Sequence, residues 1–99
     1  MLHELFSIIQ DRQKNPTEGS YTARLLAGGE DVILKKVGEE AMEVILAAKG
    51  QGKQRVVEEV ADLFYHILVL LAGRGLSLAD VEAELRRRHQ PSTGLKSRC

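Results

Sequence analysis

The amino-acid sequence predicts an all-α protein, a small bundle of about four to five helices completed by dimerisation. Three observations predict it. Prolines occur only at positions 16 and 91, both at boundaries between candidate elements. No stretch sustains the apolar–polar alternation of a half-buried strand. Apolar residues instead recur at helical spacing through most of the chain. With 99 residues there is material for one small domain, whose modest core a second copy would extend. The organisation that follows is a single helical domain over 1–90 and a flexible tail over 91–99.

The elements can be justified in order. A first helix is expected from about Leu2 to Gln13, with Leu2, Leu5, Phe6 and Ile9 on one face, until KNPTEG breaks the chain. Ser20 is a natural N-cap for a short helix through Leu26, which AGG at 27–29 ends. A third helix is expected over Glu30 to Lys49, its stripe being Ile33, Val37, Ala41, Val44, Ile45 and Ala48. Gly50 and Gly52 supply the stop. A fourth spans Lys53 to Ala72, with Val56, Val57, Val60, Phe64, Ile67 and Leu71 as its stripe, and Gly73 and Gly75 end it. Ser77 and Asp80 have the spacing of a capping box for a last helix, Leu78 to about His89.

Composition narrows the function classes. The formal net charge is zero, which argues against nucleic-acid backbone binding, because that requires a basic excess. The most apolar run, Leu63 to Ala72, is interrupted by Tyr65 and His66. It is half as long as the roughly 20 residues that a membrane span needs. The start, MLHELFSIIQDRQ, lacks the features of a secretory leader. The single cysteine, Cys99, supports neither a disulfide framework nor a zinc site. A cytoplasmic protein without membrane or nucleic-acid partners is expected. GQGKQ at 50–54 lacks the spacing of a P-loop, so any phosphate would have to be held by metal and side chains.

The informative stretches are GEEAMEVI at 38–45 and EEVADLFYH at 58–66, which set carboxylates beside large apolar side chains. At about 100° per residue, with Val37 at zero, Glu39 falls at about 200°, Glu43 at about 240° and Glu40 at about 300°, with Lys36 at about 260°. With Val60 at zero on the next helix, Asp62 falls at about 200°, His66 at about 240° and Glu59 at about 260°. Antiparallel pairing through the short KGQGK connection would bring the two acidic faces together. Glu40, Glu43, Glu59 and Asp62 would then repel unless a cation joined them. Hard oxygen donors suit Mg²⁺, which also takes substrate phosphates as ligands. The competing reading is that the acids are the solvated flank of two amphipathic helices. Spacing alone leaves both open.

EEAME at 39–43, followed by EVAD at 59–62, resembles the EExxE…ExxD signature of the all-α, MazG-like nucleotide pyrophosphatases. SYTARLL (20–26), ILKKVGEEAMEVILAAK (33–49), EEVADLFYHILVLL (58–71) and GLSLADVEAELRRR (75–88) resemble, within that superfamily, the phosphoribosyl-ATP pyrophosphatases of histidine biosynthesis. The resemblance spans Ser20 to Arg88. It implies Mg²⁺-dependent hydrolysis of 1-(5-phosphoribosyl)-ATP to 1-(5-phosphoribosyl)-AMP and pyrophosphate, by a homodimer. In such families the domain is often fused to the cyclohydrolase that acts next, and the 99 residues here are expected to be the stand-alone form.

The resemblance and the helical geometry together assign roles. Glu40, Glu43, Glu59 and Asp62 are the expected Mg²⁺ ligands. Glu39, at the edge of the arc, would orient or deprotonate the attacking water, or join the ligands if more than one Mg²⁺ binds. Its alternative is a solvated helix residue. Lys35 and Lys36 would contact substrate phosphates. Their alternative is pairing one turn along the helix with Glu39 or Glu40. Ser20, Tyr21, Thr22 and Arg24 match the family's SYTA-type segment and would cradle phosphate, while Ser20 could equally serve as a cap. His66 is expected to hydrogen-bond the Asp62 carboxylate or the substrate rather than to ligate metal. Arg86, Arg87 and Arg88 are accounted for by the helix dipole and solubility. Two other functions compete: a MazG-like hydrolase of ordinary or damaged nucleoside triphosphates, and a helical dimerisation module with solvated acids.

Overall fold

Two helices of 21 residues each, α3 (Glu30–Gly50) and α4 (Lys53–Gly73), form an antiparallel hairpin that is the most extensive packing in the fold. In this computed structural model, which describes residues 1–89, α1 (Leu2–Lys14), α2 (Tyr21–Ala27) and α5 (Leu78–Arg88) complete the chain. There is no strand among the described residues. The expected tail over 91–99, with Cys99, lies outside them.

Local chemistry sets the boundaries. Gln51 and Gly52 alone join the long helices, and Gly52 turns the chain at φ 89°, a conformation that a side chain would strain. The end of α4 is a Schellman motif. Leu76 N–H donates to the Leu71 carbonyl (2.8 Å) and Gly75 N–H to that of Ala72 (3.1 Å), with Gly75 at φ 72°. The Ser77–Asp80 capping box forms as expected: Asp80 N–H donates to Ser77 Oγ (3.2 Å) and Ser77 N–H to an Asp80 carboxylate oxygen (2.9 Å). Ser20 caps α2, its hydroxyl accepting from Ala23 N–H at 3.2 Å.

The core lies at one end of the hairpin. Phe6 and Ile9 of α1, Leu25 of α2 and Ile33 of α3 close around Leu68, Val69 and Ala72 of α4. Gln13 fastens the end of α1 by donating to the Ala72 carbonyl at 3.0 Å. α5 buries no residue. Its tie to α1 is an exposed pair, His3 Nε2 to Glu82 at 3.0 Å.

One expectation is corrected here. Of the stripe Val56, Val57, Val60, Phe64, Ile67 and Leu71, four residues are half-buried, Leu71 against the core, but none is fully buried and Val57 and Phe64 are exposed. The buried residues are Glu59, His66, Leu68, Val69 and Ala72. Val57 and Phe64 remain 61% and 47% exposed. The reason is that α4 is apolar around most of its circumference after Val60, so two faces compete. The chain turns the one bearing Glu59 and His66 inward, against α1, α2 and α3. On α3 the inward face is near the expected one, with Ile33 and Ala47 buried and Val37, Ala41 and Val44 half-buried, but Ile45 and Ala48 are exposed.

The large apolar side chains left uncovered include Met42, Ile45 and Leu46 on α3, Val57 and Phe64 on α4, and Val81 and Leu85 on α5. A groove lined by Leu2, Phe64, Ile67, Leu71, Val81 and Leu85 runs between α4 and α5. The radius of gyration is 15.5 Å. A compact domain of this length would have one of about 12–13 Å. No helix among the described residues is long and apolar enough to cross a membrane.

Candidate active site

Because α3 and α4 are antiparallel, EEAME on one faces EVAD on the other. Glu40, Glu59 and Asp62 offer carboxylate oxygens that all lie within 4.8 Å of one another. Their burial is graded: Glu59 is buried, Glu40 half-buried and Asp62 exposed. The group thus opens to solvent on one side and rests on the core on the other. Glu43, the fourth expected ligand, is half-buried and is not one of the three.

The acids already have protein counter-charges. Lys36 Nζ stands 3.5 Å from both Glu39 and Glu40. Burial works to lower the Lys36 pKa, but Tyr21, Glu39 and Glu40 outweigh it and hold the pKa above 10.5. Arg55 spans two acids: Nη1 is 2.7 Å from Glu58 and Nη2 is 3.0 Å from Glu59. Its pKa is raised by the hydrogen bond to Glu58 first, then by Glu59, with Glu43 adding to the field. Arg55 was not among the residues expected from sequence, although a signal was present. Counted from Val60 it falls at about 220°, between Asp62 and Glu59 in the acidic arc.

The helix α2 closes a second side. Its Ser20 cap directs Tyr21 toward α4, where the Tyr21 hydroxyl lies 3.0 Å from His66 Nε2. His66 Nδ1 lies 2.7 Å from the Asp62 backbone carbonyl. A carbonyl only accepts, so Nδ1 carries a proton. In the neutral ring, Nε2 then accepts from the Tyr21 hydroxyl. The expected bond to the Asp62 carboxylate is thus made to its carbonyl instead, and buried His66 locks that turn of α4. Thr22 and Tyr65 join through their hydroxyls. The Tyr21 and Tyr65 rings stack at 6.1 Å between centroids, and His66 meets both edge-on.

The remaining expected residues lie further out. Arg24 stacks its guanidinium 5.7 Å from the Tyr21 ring centroid, and Nη1 reaches the Gly19 carbonyl at 3.4 Å. Glu39 is exposed and paired with Lys36. Lys35 is exposed and makes no ion pair among the described residues. Its position, at about 160° from Val37, is just outside the acidic arc on the side of Glu39.

An antiparallel helical hairpin with hard oxygen donors facing each other and cations at the rim defines an all-α protein suited to holding a divalent cation and phosphate. The chain belongs to the phosphoribosyl-ATP pyrophosphohydrolase family, whose model matches residues 2–89. It is 53% identical over 90 residues to the phosphoribosyl-ATP pyrophosphatase of Pelotomaculum thermopropionicum, covering 91% of this chain and 92% of that one. The enzyme of the same name from Metallosphaera sedula is 53% identical over 88 residues, covering 89% of this chain and 95% of the relative. That from Listeria welshimeri is 56% identical over 88 residues, covering 89% and 84%.

Proposed function

We propose that the chain hydrolyses 1-(5-phosphoribosyl)-ATP to 1-(5-phosphoribosyl)-AMP and pyrophosphate, in histidine biosynthesis, with Mg²⁺ held by Glu40, Glu59 and Asp62. The observation that carries the reading is the convergence of those three carboxylates within 4.8 Å, in a chain of this family. The donor set, all carboxylate oxygen, is the kind Mg²⁺ prefers.

When bound, the metal would neutralise phosphate oxygens and make a coordinated water more acidic. The chain's own residues do the rest. Lys36, at the rim of the cluster, holds a phosphate oxygen of the substrate. Glu39, exposed beside it, accepts a proton from the attacking water. The water oxygen forms a bond to the α-phosphorus, the bond from that phosphorus to the bridging oxygen breaks, and pyrophosphate leaves. Ser20, Tyr21, Thr22 and Arg24 cradle substrate phosphate at the start of α2, and His66 keeps Tyr21 and the Asp62 turn in register.

The working unit in this reading is a homodimer in the cytoplasm. The uncovered face of α4, with Val57 and Phe64, and the groove beside α5 support it. So does a shape more extended than a self-contained domain of this length.

The test is pyrophosphate release from phosphoribosyl-ATP beside a panel of nucleoside triphosphates, with and without Mg²⁺. Preference for phosphoribosyl-ATP is expected. Equal or better turnover of ordinary triphosphates would favour the MazG-like housekeeping activity instead. The SYTARLL and DLFYH segments, tied together by the Tyr21–His66 and Thr22–Tyr65 bonds, favour the first reading.

A further inference from the structure

Arg55 is a helix-surface cation with an unusual partner. Its contact with Glu58, at 45% exposure, is an ordinary surface pair, worth little by itself. Its contact with Glu59 is different. The Glu59 side chain is only 7% exposed and belongs to the group of three carboxylates. Glu43 also acts on Arg55. One guanidinium therefore answers three acids around the mouth of the cluster.

We propose that Arg55 is the built-in counter-cation of the metal site, holding Glu59 when the site carries no metal and giving up that contact when a divalent cation binds. The inference rests on the metal reading above. A buried carboxylate facing two others is unfavourable without positive charge nearby. Arg55 supplies that charge at 3.0 Å, and it comes from one turn earlier on the same helix, so no backbone movement is needed to make or release the contact. Arginine suits the part because it stays charged at any working pH and its fork can keep Glu58 through Nη1 while Nη2 lets Glu59 go. Released, Nη2 stays at the rim, free to meet an anionic substrate. The site is thereby kept folded without metal, at the cost of affinity for metal alone.

The test uses the whole protein and Mn²⁺ as the probe, read by electron paramagnetic resonance without substrate. Arg55→Met keeps the apolar stem and removes the competing charge. It should bind Mn²⁺ roughly three- to tenfold more tightly, the order expected for removing one nearby unit charge from a divalent ion in a largely solvated site. Arg55→Lys should stay near the parent. The metal-induced rise in Tm should be larger in Arg55→Met than in the parent, because its metal-free form loses the partner of Glu59. Unchanged or weaker Mn²⁺ binding by Arg55→Met overturns the proposal. If that variant does not fold, side-chain nitrogen NMR of the parent decides: Arg55 should rotate slowly without metal and faster on adding Mg²⁺, and no change overturns it. Failure of the parent itself to bind Mn²⁺ would remove the metal reading as well, whereas normal parental binding with no Arg55 effect removes this inference alone.

Discussion

The Tyr21 hydroxyl and His66 Nε2 stand 3.0 Å apart, and that bond ties α2 to the turn of α4 that carries Asp62. His66 is buried and satisfied at both ring nitrogens, so the pair is a strut across the site. Removing the hydroxyl while keeping the ring should therefore leave Nε2 without a partner. Tyr21→Phe retains the stacking on Tyr65 but should cost about 1–3 kcal/mol, the penalty for a buried polar atom left unpaired. Urea unfolding measures this, and an unchanged midpoint would show that water replaces the bond.

The carboxylates should not be equivalent. Glu40→Gln and Asp62→Asn each remove a charge from the group of three, and each should abolish turnover and weaken Mg²⁺ binding while the fold persists. Less repulsion remains in the metal-free site, so Tm without Mg²⁺ should hold or rise. Glu43→Gln, altering an acid outside the group, should lose less metal affinity than Glu40→Gln. Calorimetric titration of the three variants with Mg²⁺ checks the order, and near-normal activity in Glu40→Gln or Asp62→Asn removes that residue from the ligand set.

The separation of Glu43 from the group of three was not legible in the sequence, because helical angles place it in the same arc as Glu39 and Glu40 and say nothing of how far a side chain reaches. The helices themselves were legible. Ser20, Ser77 with Asp80, and the glycines at 52 and 75 are chemical punctuation, and each marks its boundary within a residue or two. The inward face of α4 was legible only in part. Counting apolar residues discards Glu59 and His66 by type, yet both are among the residues that α4 buries. Their burial is possible only because Arg55, Tyr21 and the Asp62 carbonyl satisfy them, and such partners come from tertiary structure. Arg55 was within reach of the same angular reasoning, had the cations of α4 been placed on the wheel as Lys36 of α3 was.

The uncovered apolar residues on α4 imply association. Phe64 is 47% exposed on the face opposite the buried one, and Val57 lies two turns before it. Sedimentation equilibrium should give twice the 11.0 kDa chain mass at micromolar concentration. Phe64→Glu should shift the protein toward monomer by placing an unpaired charge in the contact. A parent that stays monomeric would rule the dimer out.

Lys36 separates a working residue from a helix ornament. Its pairs with Glu39 and Glu40 are long, 3.5 Å each, and the side chain is 31% exposed, so the ammonium has donors to spare for a phosphate. Lys36→Ala should lower kcat/KM for phosphoribosyl-ATP roughly 30- to 150-fold, the equivalent of about 2–3 kcal/mol for a charge-assisted hydrogen bond. Stability near neutral pH should change by under about 1 kcal/mol, as for other partly exposed helix pairs. The folded-state pKa is raised above the ordinary 10.5, so the pairing contribution is complete below pH 10.5 and is lost as pH climbs through the folded value. The stability difference between parent and Lys36→Ala should therefore be flat up to that pH and shrink above it. A purely structural lysine would show the alkaline shrinkage with unchanged kinetics. A kcat/KM within about threefold of the parent, well under about 1.4 kcal/mol, would place Lys36 in that second group.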